Sequence, residues 1–259
     1  MSKTALITGA SSGIGYELAK RFARDGVNLV LVARDQGKLS QIAGELQSPA
    51  VSVKTIGADL SRAVAPSEIL DATRAANINV DFLVNNAGFG ACGFFADSDL
   101  QTDLDMMQVN VVSLVHLTRL YLPGICQRGT GGVLNVASTA AFQPGPLMAL
   151  YYATKAFVLS FTEAIAEELR GTGVTATALC PGPTATDFQR RAKIEGIRLM
   201  KSKAIAMMTA SEVAEIGYRG FLAGKAVIIP GLLNNLGVQL LRISPRAIVP
   251  RVTRKLQES

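Results

Sequence analysis

The 259-residue chain has no Trp, one His, three Cys, and charged residues at only 18% of its positions. Cys92, Cys126 and Cys180 are odd in number and lack CxxC spacing, which argues against a disulfide framework and against a zinc site. No metal is expected, and free thiols suit a reducing cytoplasm. A secretory signal is also missing, because Met1 to Lys3 runs straight into the apolar TALITG segment without a basic region or cleavage site. The longest apolar stretches, LVLVA and AVIIPGLL, fall short of the roughly 20 residues that span a bilayer, so no transmembrane helix is expected. Repeats, low-complexity tracts and long linkers are absent as well. One domain covering residues 1–259 follows, with 49% hydrophobic residues to fill its core.

What is present is a rhythm. Short β-branched runs at Thr4–Thr8, Asn28–Ala33, Val51–Gly57, Val80–Asn85, Gly132–Ala137, Val174–Cys180 and Ala226–Pro230 alternate with helical patterns. The helices are expected at Ile14–Asp25, Gln36–Leu46, Pro66–Asn77, Asp99–Tyr121, Leu150–Gly171 and Ser211–Leu222. Alternation of this kind builds βαβ units. It predicts a three-layer, doubly wound α/β fold whose seven-stranded sheet is mostly or wholly parallel, with helices on both faces. The segment at about 183–208 interrupts the rhythm and reads as a substrate lid. Residues from about 231 to 259 form a C-terminal extension.

Two features carry chemistry. The first strand ends in Thr8, Gly9, Ala10, Ser11, Ser12, Gly13, Ile14, Gly15, and a helix follows. A strand, a glycine turn and a helix N-terminus together present backbone N–H groups and the positive helix end to a diphosphate. Tyr151 and Lys155 lie four residues apart on a predicted helix, so an ammonium can sit beside a phenol and stabilise its ionised form. Tyr152, three residues before Lys155, satisfies the same geometry. Helical spacing alone leaves the two tyrosines as rivals.

The glycine spacing is GxxxGxG, different from the GxGxxG of the standard dinucleotide fingerprint. TGxxxGxG, Asn85-Asn86-Ala87-Gly88, Asn110, Ser138, the YxxxK pair and Pro181-Gly182-xxx-Thr186 occur in order, and the chain thereby resembles the short-chain dehydrogenase/reductase family. The resemblance runs from Thr4 to about Pro230 and implies a single-domain Rossmann fold. It selects Tyr151 over Tyr152 as the acid/base, with Ser138 holding the reacting oxygen, Lys155 tuning the phenol and contacting a nicotinamide ribose, and Asn110 linking Lys155 to solvent through water. It further implies that Gly9, Ser11, Ser12, Gly13, Ile14, Gly15, Arg34, Asp59, Leu60, Asn86, Ala87, Gly88, Tyr151, Lys155, Pro181, Gly182, Thr184 and Thr186 bind a dinucleotide.

Cofactor choice turns on the residues after the second strand, LVLVARDQ. In the resembling family an acid at the position of Ala33 selects NAD, whereas Arg at the next position marks NADP, so Arg34 favours NADP(H) over NAD(H). Asp35 invites a ribose-binding role but reads better as the N-cap of the helix beginning at Gln36. His116, about two turns beyond Asn110, reads as a packed or interfacial residue rather than a catalytic one.

The expected reaction interconverts a ketone or aldehyde with a secondary alcohol. Phe89, Phe94, Phe95, Phe142, Pro144, Leu147, Met148 and Phe188 are candidates for an apolar pocket mouth, or equally for core or a dimer surface. A steroid or a small xenobiotic carbonyl is the alternative substrate, and a non-catalytic dinucleotide sensor the rival function. The formal charge of +6 is regional. Arg190, Arg191, Lys193, Arg198, Lys201 and Lys203 face only Glu195, and Arg242, Arg246, Arg251, Arg254 and Lys255 face only Glu258. The first cluster suits a solvated amphipathic helix over the cofactor or, as the sharper reading, a site for an anionic carrier such as coenzyme A or acyl carrier protein. The second suits a subunit interface, with peripheral membrane contact as the alternative. A homodimer or homotetramer is expected. No recognition motif accompanies the charge, so nucleic acid is not expected as a partner.

Overall fold

The computed structural model describes residues 2–192, 194, 196 and 207–258. Strand β1 (Thr4–Thr8), buried at every position, leads into helix α1 (Gly13–Arg24). The chain continues through β2 (Asn28–Ala33), α2 (Gln36–Leu46), β3 (Val53–Gly57), α3 (Ala65–Ala75), β4 (Phe82–Asn85), α4 (Leu100–Met107), α5 (Ser113–Arg128), β5 (Gly131–Val136), α6 (Ala149–Glu168) and β6 (Val174–Leu179). Beyond these come β7 (Thr184–Ala185), α7 (Phe188–Arg191), β8 (Met208–Thr209), α8 (Ala210–Leu222), β9 (Val227–Ile228), α9 (Leu232–Ile243) and α10 (Val249–Gln257).

Seven strands make one parallel sheet in the order β3-β2-β1-β4-β5-β6-β9. Strand order reverses between β1 and β4, and a crevice opens beyond their carboxyl ends. Both faces of the sheet are covered. Ile7, Leu29 and Leu31 pack on one side with Phe22 of α1 and Tyr218 and Phe221 of α8. Leu6, Val30 and Val133 pack on the other with Ile69 of α3, Leu117 and Ile125 of α5, and Ile165 of α6. Burial on both faces is why these strands are near-continuous apolar runs rather than alternating patterns. The α/β expectation holds, with the sheet wholly parallel.

Three local differences from the sequence expectation have physical causes. The helix expected over Asp99–Tyr121 is divided: Asp99 caps α4 by accepting from the Thr102 N–H, and a π-helical turn, Gln108–Val112, precedes α5. The inserted residue leaves the hydrophobic pattern nearly unchanged, so periodicity does not reveal it. Helix α5 then runs past Pro123, which is exposed, and ends at Gly129 with φ of 65°. By length and composition Leu100–Arg128 is apolar enough to cross a membrane, contrary to the expectation of no such stretch. Here, however, Leu114, Leu117, Tyr121 and Ile125 are buried in the protein core. The C-terminal extension forms two helices. Pro245 lies between them, and Pro250 occupies the first turn of α10, where its missing N–H breaks no helical bond.

Candidate active site

The crevice is a cavity of about 1070 Å³. All the predicted site residues line it except Gly15 and Asn110, which sit directly behind its wall. At its base, Thr8 Oγ1 accepts from the N–H groups of Asn86 and Ala87, both at 3.0 Å. The Asn86 amide in turn donates to the carbonyls of Thr8 and Gly9 at 2.9 and 3.2 Å. These bonds fasten the glycine turn to the end of β4. Little room is left: a Cβ at Gly15 would lie 2.4 Å from Asn86 Nδ2 and 2.5 Å from Gly9 O, and Gly9 itself has φ of +64°. No side chain caps α1, so its first-turn N–H groups remain for an anionic ligand in the cavity beside Ser12, Gly13 and Ile14. That cradle fits a dinucleotide diphosphate.

Arg34 is exposed at the cavity rim beyond β2. Neighbouring Asp35 caps α2, accepting from Lys38 N–H at 2.9 Å, as the sequence suggested. Asp59 accepts from the backbone N–H and the hydroxyl of Ser61, both at 3.0 Å, and Leu60 O accepts from Ser113 Oγ at 2.8 Å. On the opposite wall, Thr184 Oγ1 donates to Gly182 O at 2.9 Å, and Thr186 packs against Gly13.

Ser138, Tyr151 and Lys155 meet where β5 ends. Ser138 caps a short 3-10 turn, its Oγ accepting from Ala140 N–H at 3.1 Å and donating to Pro181 O at 3.5 Å, and it lines the cavity together with Tyr151. Lys155 is 5% exposed; its Nζ donates to Val136 O at 2.8 Å and lies 5.8 Å from the Tyr151 ring centroid. Asn110, on the π turn, donates to Phe89 O at 2.9 Å and Thr154 Oγ1 at 3.1 Å while accepting from Phe89 N–H at 3.1 Å. Gly88 lets these groups converge, since a Cβ there would lie 3.0 Å from Asn110 Oδ1 and 3.3 Å from Lys155 Nζ.

The electrostatics correct one expectation. Burial pushes the Tyr151 phenol above its ordinary pKa, opposed by the Ser138 hydroxyl, while burial lowers Lys155 to about 8. Two ionisable groups desolvated together each favour their neutral forms. The protein alone therefore does not hold Tyr151 as a phenolate; it holds a neutral phenol, a proton donor. Tyr152 is removed as a rival, because its hydroxyl pairs with the Gln257 amide under α10, and burial raises it to about 12.

The substrate side departs most from expectation. Phe89, Met148 and Phe188 do line the cavity, with the Phe188 ring 5.3 Å from that of Tyr151. Phe142, Pro144 and Leu147 do not, and Phe94 and Phe95 are 57% and 68% exposed. The remaining wall comes from α9 and α10, through Leu233, Val238, Leu241, Val252, Leu256 and Gln257. Asn234 fixes α9 in place by donating to Pro230 O at 2.7 Å and packing against Gly182. Of the cations in the basic lid, Arg190 pairs with Asp187 at 3.1 Å, whereas Lys193, Arg198, Lys201 and Lys203 lie outside the described residues. His116 is half-buried on α5 and does not line the cavity.

A buried polar network was also missed. Asn85 Nδ2 donates to Asn135 Oδ1 at 2.9 Å and Thr118 Oγ1 at 3.0 Å, and Asn135 Nδ2 donates to Thr162 Oγ1 at 2.9 Å. It ties β4 to β5, α5 and α6; Lys155 lies on α6, and Asn110 on the π turn that leads into α5. The available signal was Asn135 itself, a polar residue inside the buried strand GGVLNV.

Known proteins agree with this geometry. An uncharacterized oxidoreductase of Staphylococcus epidermidis is 32% identical over 217 residues, 82% of this chain and 93% of its own length. A very-long-chain 3-oxoacyl-CoA reductase of Anas platyrhynchos is 36% identical over 73% of this chain, which spans 62% of that protein. The solved structure of a short-chain dehydrogenase from Sphingobium yanoikuyae in complex with NADPH matches with a TM-score of 0.81 and 33% identity, covering 95% of this chain and 97% of that one. Residues 3–195 match the short chain dehydrogenase family, and the chain belongs to it, as an oxidoreductase acting on alcohol and ketone groups through a nicotinamide dinucleotide.

Proposed function

We propose that the protein is an NADP(H)-dependent reductase of apolar ketones, and that a 3-ketoacyl thioester is its substrate class. The observation that carries this reading is the convergence of Ser138, Tyr151 and buried Lys155 in a cavity walled by Phe188, Met148, Val238 and Leu241. NADP(H) supplies the hydride. The glycine turn, Asp59, Asn86, Thr184 and Thr186 would hold the dinucleotide, and Arg34 would take the 2′-phosphate. Ser138 and Tyr151 both hydrogen-bond the substrate oxygen, and as charge develops there Tyr151 gives up its proton. Lys155 would contact the ribose of a bound dinucleotide and stabilise the phenolate left behind, while Asn110 would hold the water path through which the proton returns.

The similarity to a 3-oxoacyl-CoA reductase supports the thioester reading, and the apolar walls support an acyl chain. Exposed Leu100, Leu104 and Met107 on α4 and Val112 in the turn before α5 support a homodimer or homotetramer. Free Cys92, Cys126 and Cys180 support work in the cytoplasm.

NADPH oxidation measured with a 3-ketoacyl-CoA, its free methyl ketone and a hydroxysteroid ketone tests the reading. The thioester is expected to have the lowest KM, and raising the salt should erase its advantage over the methyl ketone. Equal KM values at both salt concentrations would reject the thioester. Absence of turnover with every ketone would reject the reductase.

A further inference from the structure

Helix α9 has two apolar faces. Val238 and Leu241 face the cavity, whereas Leu236, Leu240 and Ile243 are 52%, 60% and 80% exposed and do not line it, and Leu232 is 78% exposed at the cavity rim. At 3.6 residues per turn these four and Leu233 share about 100° of the helix circumference, nearly opposite the buried face. The apolar surface continues onto α10 through exposed Ile248, Val252 and Leu256. Arg242, Arg246, Arg251, Arg254 and Lys255 surround it, all exposed, and among the described residues only Arg254 is paired with an acid, Glu258 at 3.0 Å.

We propose that α9 and α10 seat the protein on an anionic lipid surface. An exposed apolar stripe calls for a cover, and the charge on this face chooses between covers. A second copy would bring five cations against five, whereas a bilayer with anionic headgroups accepts both the leucines and the cations. Leu233, Val252 and Leu256 are exposed and line the cavity as well, so an apolar molecule passes from acyl chains to Tyr151 without crossing water. This passage rests on the apolar-substrate reading above; the docking itself does not.

The test is co-sedimentation of the full chain with vesicles of phosphatidylcholine alone or with about a third phosphatidylglycerol, without any turnover assay. Binding to the anionic vesicles is expected to be at least about tenfold tighter, to weaken as salt rises, and to fall at least about tenfold in the variant Leu236→Glu/Leu240→Glu. Neither residue lines the cavity, so reduction of a short water-soluble ketone should be unchanged in that variant, which also reports that it folds. Failure to bind anionic vesicles overturns the proposal, as does equal binding to neutral ones. So does a wild-type dimer, seen by light scattering, that the same variant dissociates.

Discussion

The two ends of the cavity are built from different materials. At the cofactor end the wall is main chain: Gly9 and Gly15 pack against Asn86 with no space for a Cβ, Gly13 packs tightly against Thr186, and Gly9 and Gly13 have positive φ. At the substrate end the wall is side chain, carried on two short helices that touch the body through Val238, Val249, Thr253 and Gln257 while most of their surface is exposed. Backbone recognition demands particular residues at particular spacings. A hydrophobic wall demands only apolar bulk, which many sequences supply. The first end should therefore be brittle to substitution and the second tolerant.

The sharpest way to break that contrast is Gly15→Ala. Its Cβ would press on Gly9 O and Asn86 Nδ2, with an expected cost of about 1–3 kcal/mol of stability. Displacement of the turn should weaken NADPH binding by up to about a hundredfold, equal to roughly 2.7 kcal/mol; calorimetric titration checks it. An unaltered Kd would mean that the turn is not the phosphate cradle. Next in size is cofactor choice. The double change Ala33→Asp/Arg34→Ala should move the NADPH to NADH ratio of kcat/KM by about tenfold or more toward NADH, since a charged hydrogen bond to the phosphate is worth about 1.5–3 kcal/mol. Wild type that uses both cofactors equally would remove the role given to Arg34.

A pH profile probes the buried pair between the two ends. Because burial lowers Lys155 from its ordinary value to about 8, the ammonium is present below that pH and lost above it. kcat/KM for reduction should be level near pH 7 and lower by about tenfold at pH 9, as one deprotonation in the free enzyme requires. A rate flat to pH 10 would show that the Lys155 charge is not needed. The smallest effect belongs to the tolerant wall. Leu241→Ala should raise KM for an apolar ketone by about three- to tenfold, in line with losing part of a buried side chain, and leave the NADPH Kd unchanged.

The same contrast explains what the sequence revealed. Strand and helix positions within the βα rhythm were legible because the inner strands bury both faces and the helices that flank them bury one. The nucleotide cradle, Ser138, Tyr151 and Lys155 were legible because their chemistry fixes residue type and spacing. Helical spacing alone did not separate Tyr151 from Tyr152; the structure does so through Gln257, 105 residues away, a long-range contact that no local pattern encodes. The π turn holding Asn110 escaped because one extra residue barely disturbs periodicity. Phe94 and Phe95 could not be assigned between pocket and surface, because an aromatic in a loop reads alike whether it faces a cavity or solvent; both are exposed. Helices α9 and α10 were obscured by Pro245 and Pro250, which break a long helix yet allow two short ones.

The proton donor is the central claim, and the pair Tyr151→Phe and Tyr152→Phe tests it in one measurement of kcat with NADPH and a saturating ketone. Tyr151→Phe should lower kcat by about three orders of magnitude, the range of a general acid, with the NADPH Kd retained, while Tyr152→Phe stays within about tenfold of wild type. Near-normal turnover by Tyr151→Phe, or a larger loss in Tyr152→Phe, would contradict the account.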